Sequence, residues 1–572
     1  MIYKQKQGRL IISEEERTCN RKNHIMIYNM FAKKIIALFL LISATAMNFS
    51  CVQSKEGAIG TVTNPVLYAD VPDPCLIRVD STYYMISTTM HLMPGGPIMK
   101  SKDLVNWETV SYVFDKLTDT PKYDMIDGTV YGRGQWASSI RYYEGKFYVY
   151  FSPNDEPYKG YIYSTSDPEN EKWELVSRIP HFHDASLFFD DDGRVYMFYG
   201  TGQLRELNPD LSDVKADGID MVVFERDEEE TQLLEGTHVL KKDGKYYVFM
   251  VSMVYGVPGR IRREVCYRAD NITGPYEKKV ILETEFEEYG GVGQGFIVDT
   301  PEGDWYGFIF QDRGGVGRVP ILMPCRWVDG WPMLGNKDGS ISKTYEKIVY
   351  PTEYVNGIVG SDNFESDKMS LYWQWNHNPV NDKWSLTERP GFLRLKTARI
   401  SQHLYTAMNT VTQRMEGPQC KGVISLDLSN MQDGDITGFS AFNGHSGTLS
   451  VIKDENKKYL VMSEDVAIFD QSDREKSKTI KEVISEEKER VEIDRDIIYL
   501  RIDCDFTEKK ELASFYYSFD NENWKNIGAG FIMRFDYRKF FMGTKFAIFN
   551  YATKSLGGYV DVDYFHYEKS DT

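Results

Sequence analysis

Three carboxylates, Asp73, Asp184 and Glu235, occupy one register in a motif that repeats along the first half of the chain. Each stands 11 or 12 residues before an index aromatic: Asp73 before Tyr84, Asp184 before Tyr196, Glu235 before Tyr247. Two further copies place Trp136-Ala137 and Gln294-Gly295 at the matching position. Taken singly, an Asp before a Pro, as at Asp73-Pro74, is a common turn residue. Three acids in five equivalent places, with no cation among the five, are costly to gather unless a site uses their charge. Such a ring suits acid–base hydrolysis of a glycosidic bond. One carboxylate stays ionised to deprotonate water, and a second keeps a proton for the leaving oxygen. A third raises the pKa of the acid by like-charge repulsion. Carboxylates on different repeats can stand roughly 6.5–9.5 Å apart, enough to admit a water, which predicts inversion. Other chemistries lack their parts: there is no Gly-Xaa-Ser-Xaa-Gly elbow, no P-loop and no His-Glu-Xaa-Xaa-His zinc site.

The elements that must position these acids are short strands. Each copy reads as an apolar strand, a turn and a second apolar run carrying the index aromatic, as in Asp184-Ala-Ser-Leu-Phe followed by Val195-Tyr196-Met-Phe. Four copies have a Gly three residues before that aromatic (Gly145, Gly193, Gly244, Gly303), as a hairpin turn wants, and the first has Ser81. The index aromatics fall at 84, 148, 196, 247 and 306, spaced by 64, 48, 51 and 59 residues. A hairpin unit returning at about 50 residues is the signature of a β-propeller, here five-bladed, whose equivalent positions lie on a ring around the axis. The segments Ser101–Trp107 and Glu171–Val176 read as outer strands whose Trp packs between blades. The repeat stops after Trp331-Pro-Met-Leu334, and alternating strands and polar turns follow from Asp362. The expected organisation is all-β: a signal or lipoprotein-signal region 1–51, a propeller 52–345, a linker 346–358 and a β-sandwich 359–572. The charged runs 472–478 and 485–490 are expected in a solvated loop or edge hairpin.

The whole chain agrees with a saccharide partner. Its 572 residues carry a formal charge of −18, which argues against nucleic acid, and 14% are aromatic, offering platforms on which sugars stack. Near the start, Lys33 and Lys34 precede the apolar run Ile35–Ile42, too short to span a membrane and typical of an export signal. Ala44-Thr45-Ala46 fits a signal-peptidase site, whereas Cys51 fits the lipidated cysteine of a bacterial lipoprotein. The expected location is therefore the periplasm or the outer membrane, with membrane attachment only through a lipid on Cys51. The five later cysteines are scattered and odd in number, and are expected to be buried free thiols.

Several of these residues together resemble glycoside hydrolase family 43. They are Asn64-Pro-Val-Leu with Asp70-Val-Pro-Asp-Pro74, Trp136-Ala137, Asp184-Ala-Ser-Leu-Phe188, Asp191-Asp-Gly193, Glu235-Gly-Thr-His238 and Gly317-Arg318. More narrowly, the chain is similar to the two-domain β-xylosidase and α-L-arabinofuranosidase members, with Trp373-Gln-Trp-Asn-His-Asn-Pro379 matching the opening of their concanavalin-like sandwich. That resemblance implies Asp73 as general base, Asp184 as pKa modulator and Glu235 as general acid. It implies Trp136 in the sugar-binding wall and Arg318 near the acids. His91, at the end of the blade-one segment Met85–His91, is a further pocket candidate. Ala185 stands where the family usually has Pro, and Gln294 where many members have a channel His associated with a bound ion. No cofactor is implied, and Gln294 puts a structural calcium in doubt. The expected activity is exo-acting removal of xylose or arabinofuranose from plant cell-wall saccharides. An endo-arabinanase needs an open groove, which a sandwich loop over the rim would close to a pocket. A non-catalytic carbohydrate-binding surface protein would have no use for both a base and an acid.

Overall fold

The computed structural model describes residues 57–230, 233–255, 260–349, 356–470 and 478–570. The apolar segment 35–42, Ala44–Ala46 and Cys51 lie outside the described residues. Five four-stranded antiparallel sheets follow one another, each in sequence order. Their first strands are Cys75–Val79, Gln135–Tyr143, Ser186–Phe189, Leu233–Lys242 and Gly295–Asp299. Each of these touches the first strand of the next blade, and the last returns to the first, so the five line the axis. The expected hairpins are present. In blades two and four the two-residue loops Glu144-Gly145 and Asp243-Gly244 hold both residues at positive φ, the turn that matches strand twist. Between the sheets the apolar faces interlock, and Trp107 of blade one meets Phe308 of blade five at 5.6 Å.

The expected linker begins as a strand. Thr344–Val349 pairs along its length with Ala58–Thr63, so the chain leaving blade five is tied to the segment entering blade one. The alternation of Tyr345, Lys347 and Val349 on one face suits a half-buried strand better than a free connector. Beyond it the second half forms two stacked sheets around a core that includes Phe439, Leu449, Phe546, Ile424, Leu500, Phe515 and Phe565. The charged stretch is an edge strand, Ile480–Ile493, with 471–477 outside the described residues. All five described cysteines are buried free thiols.

Propeller and sandwich share a ladder. The short strand Leu92–Met93, between the second and third strands of blade one, pairs with Gln374–Asn376 and completes a sandwich sheet. The Trp-rich opening of the sandwich reads onto the propeller from there. Gln374 donates to Pro94 O at 2.7 Å, Asn376 to the Tyr131 hydroxyl at 2.7 Å and Asn378 to Leu117 O at 2.7 Å. Tyr131 stacks on Phe540 of the sandwich at 4.0 Å between centroids, 8° from parallel.

Candidate active site

The acids reach the axis because the backbone turns where each strand begins or bulges. Asp73 and Asp184 have φ of 50° and 46°, and Gln294 has 73°. This left-handed conformation is unfavourable for a residue with a Cβ and is retained where the surroundings enforce it. In blade four the departure falls one residue later, at Gly236 (φ 71°), where the pairing register shifts between Glu235 and His238. A bulge of this kind re-aims a side chain. Gly236 can hold that conformation without strain, and a Cβ there would sit 2.8 Å from the Gln294 side chain.

Asp73, Asp184 and Glu235 open onto one cavity of about 280 Å³, together with Trp136, Gln294 and Arg318. Six of the seven residues singled out from the sequence therefore meet. The seventh, His91, does not. Its ring is buried at the propeller–sandwich seam, 4.7 Å from Tyr131, 5.2 Å from His377 and 5.3 Å from Phe540. Burial holds it well below the usual imidazole range, so it is neutral packing at that seam.

Asp73 is anchored apart from the other two acids. Arg318 Nη1 lies 3.0 and 3.1 Å from its two carboxylate oxygens, and Thr88 Oγ1 donates to Oδ2 at 2.6 Å. Burial pushes the carboxyl up, and Arg318 opposes it. Arg318 is itself only 3% exposed and forms its ion pair with Asp73. Asp184, raised to about 6 by burial, faces Glu235 and a residue not marked from the sequence, His183. His183 Nε2 is 3.3 Å from Glu235 Oε2 and 3.8 Å from Asp184 Oδ2. Chiefly through Asp184, its imidazole is pushed up to about 9. Ligating atoms of His183, Asp184 and Glu235 lie within 4.8 Å of one another.

These three offer two carboxylates and an imidazole nitrogen, fewer oxygens than the six to eight that calcium takes. The Gln294 backbone N–H donates to Glu264 at 2.8 Å, and burial lifts the Glu264 carboxyl to about 8.

The sandwich lines one side of the cavity, where Phe535, Tyr537 and Phe541 form part of its wall. Phe541 lies 5.8 Å from Trp136, its ring is 4.3 Å from the Arg318 guanidinium, and its carbonyl accepts from Arg318 Nη2 at 3.2 Å. Beneath this loop Asp70, 1% exposed, joins the halves. Its carboxylate accepts from the Arg318 amide at 3.0 Å, the Gly543 amide at 2.9 Å and Lys545 Nζ at 3.0 Å. Asp70 belongs to the Asp70-Val-Pro-Asp-Pro74 motif, which was the signal available for it. His183 directly precedes a register acid, whereas nothing in the sequence spacing marked Phe541.

The family profile for glycosyl hydrolases family 43 matches residues 62–332, and that for the beta xylosidase C-terminal concanavalin A-like domain matches 361–568. A beta-xylosidase of Formosa agariphila is 30% identical over 573 residues, spanning 89% of this chain and 90% of its own. The chain belongs to glycoside hydrolase family 43. Among solved family 43 structures, a bifunctional protein of Bacteroides eggerthii is 41% identical with a TM-score of 0.81. The alignment covers 90% of this chain and 64% of that one. A family 43 hydrolase engineered to display endo-xylanase and exo-arabinofuranosidase activity is 30% identical with a TM-score of 0.80, covering 89% and 100%. The five-bladed propeller and concanavalin-like sandwich read from the sequence are thus those of this family.

Proposed function

We propose that this family 43 enzyme is an exo-acting, inverting glycosidase that removes terminal xylose or arabinofuranose from xylan- or arabinan-derived saccharides. The carrying observation is a single cavity, walled in part by the sandwich, with an anchored carboxylate, Asp73, apart from the Asp184–Glu235 pair. Asp73 takes a proton from water, whose oxygen bonds to the anomeric carbon as the glycosidic C–O bond breaks. Glu235 gives its proton to the departing oxygen. Asp184 supplies the neighbouring negative charge that favours the protonated acid. Trp136 and Phe541 offer apolar faces to the sugar. The aromatic wall from the sandwich favours chain-end cleavage over an endo-acting groove. Relatives named as a beta-xylosidase and, in Bacteroides ovatus, a non-reducing end alpha-L-arabinofuranosidase support the pentose substrates. The basic and apolar segment 33–42 supports work outside the cytoplasm, on cell-wall fragments.

The test is Glu235→Ala, assayed with chromogenic β-xyloside and α-L-arabinofuranoside and with natural oligosaccharides. Natural substrates should be hydrolysed about 10²–10⁴-fold more slowly. Unchanged turnover would remove Glu235 as the acid. Product NMR should show the inverted anomer first.

A further inference from the structure

His183 is a titratable side chain beside this site that the two-carboxylate chemistry leaves without a task. Its placement is specific. One ring nitrogen, Nε2, points between two catalytic carboxylates, 3.3 Å from Glu235 and 3.8 Å from Asp184. Its main chain is fixed by the Gly200 amide, which donates to His183 O at 2.9 Å. Its ring is flanked by Trp136 at 5.9 Å and by the nearly parallel ring of His181 at 6.5 Å. The side chain is 37% exposed, so it reaches solvent on its outer edge while its inner nitrogen meets the acids.

We propose that His183 is a positioning residue whose imidazolium bridges Glu235 and Asp184, holding the acid and its modulator together and setting the pH range of hydrolysis. The proposal rests on the reading of Glu235 as general acid. Two carboxylates this close repel when both are ionised, and such a pair tends to share one proton. An imidazolium between them offsets part of that repulsion, so Asp184 stays ionised beside the protonated acid and Glu235 can carry its charge once the proton is given up. It is a planar donor with Trp136 and His181 beside it, and its N–H orients the Glu235 carboxylate it meets. The charges around it are consistent with a cation. Asp184 lies beside it on the same segment, Glu235 on blade four and Asp73 on blade one, and the basic neighbour His181 has its own affinity for protons lowered by burial. Asp184 first, and Glu235 and Asp73 with it, keep the ring protonated to about pH 9, across the neutral range.

The sign follows directly. A cation favours the ionised form of its neighbours, so removing it makes the carboxylates retain protons to higher pH. The base then ionises later and the acid loses its proton later, and both limbs of the pH–rate profile move upward.

The experiment compares the full chain with His183→Gln, which keeps an N–H donor without charge, and His183→Phe, which keeps a flat ring without either. The readout is kcat/KM for β-1,4-xylobiose and a short arabino-oligosaccharide from pH 4 to 10. Both variants should displace the limbs upward by about 1 pH unit, the scale of a nearby opposite charge. His183→Phe should lose more of the peak rate because it also loses the orienting hydrogen bond. A profile lowered in height with both limbs in place, or limbs displaced downward, overturns the proposal. Should His183→Phe not fold, His183→Gln alone decides. Glu235→Gln in parallel separates the two readings: an active Glu235→Gln defeats the acid assignment, whereas an inactive one beside unmoved His183 profiles defeats only this inference.

Discussion

At the scale of single residues the site is a problem in charge. Asp73 is 5% exposed and Asp184 8% exposed, and burial pushes both carboxyls up. Arg318 is the cation that opposes the effect of burial on Asp73. Replacing it in Arg318→Met should leave Asp73 buried without its cation and raise its pKa by about 1–3 units. The acid limb of the pH–rate profile would then move up by the same amount, with activity at pH 6 falling and partly returning in alkaline buffer. A pH series of kcat/KM checks this, and an unmoved acid limb would remove Asp73 as the titrating base. The three acids were legible because strand repeats impose a register, and a register survives translation into space. His183 was not, because the comparison ran over five equivalent positions and His183 stands one place outside them. His91 misled for the opposite reason: it ends an inner segment of blade one, yet the chain turns there and carries the ring into the sandwich seam.

At the scale of elements, a turn in the backbone does as much as the side chain it carries. Gly236→Ala puts a Cβ on a residue at φ 71° and within 2.8 Å of Gln294. It should cost about 1–2 kcal/mol from the left-handed conformation and move Glu235 off its aim. Denaturant unfolding should show the loss of stability, and kcat should fall more than the unfolded fraction explains. The segment Phe535–Phe541 has a different place, in the wall of the cavity. Phe541→Ala removes an aromatic wall beside Arg318 and Trp136. It should raise KM for short oligosaccharides and release internal products from longer chains, which product chromatography would reveal. Exclusively terminal products from the variant would mean that closure rests on other residues. The propeller blades were readable from hairpin spacing, since each is local in sequence. This wall was not, because Phe541 meets Arg318 only through folding of the whole chain and leaves no periodic trace.

At the scale of the molecule, the halves are joined by buried charge as well as by strand pairing. Asp70 is pulled below the usual carboxylate range because Lys545 and Arg318, with two backbone amides, outweigh the effect of burial. A carboxyl depressed in the folded state contributes stability above its unfolded pKa of about 3.9, and that stability is lost as pH falls below it. Asp70→Ala leaves Lys545, 6% exposed in its side chain, without its partner. Breaking such a pair costs about 3–5 kcal/mol. Calorimetry at pH 7 should show a marked fall in Tm for Asp70→Ala, and the gap between variant and parent should narrow in acid. A Tm unchanged at neutral pH would mean that Asp70 does not join the halves.

The strand Leu92–Met93 has a wider consequence. It arises within blade one and yet finishes a sheet belonging to the second half. Cutting the gene at the apparent boundary near 358 would therefore not yield two interchangeable modules. A chimaera grafting this propeller onto a foreign partner would inherit a severed ladder and an unlidded cavity. New specificities in this architecture are accordingly more accessible by exchanging loops than by shuffling domains.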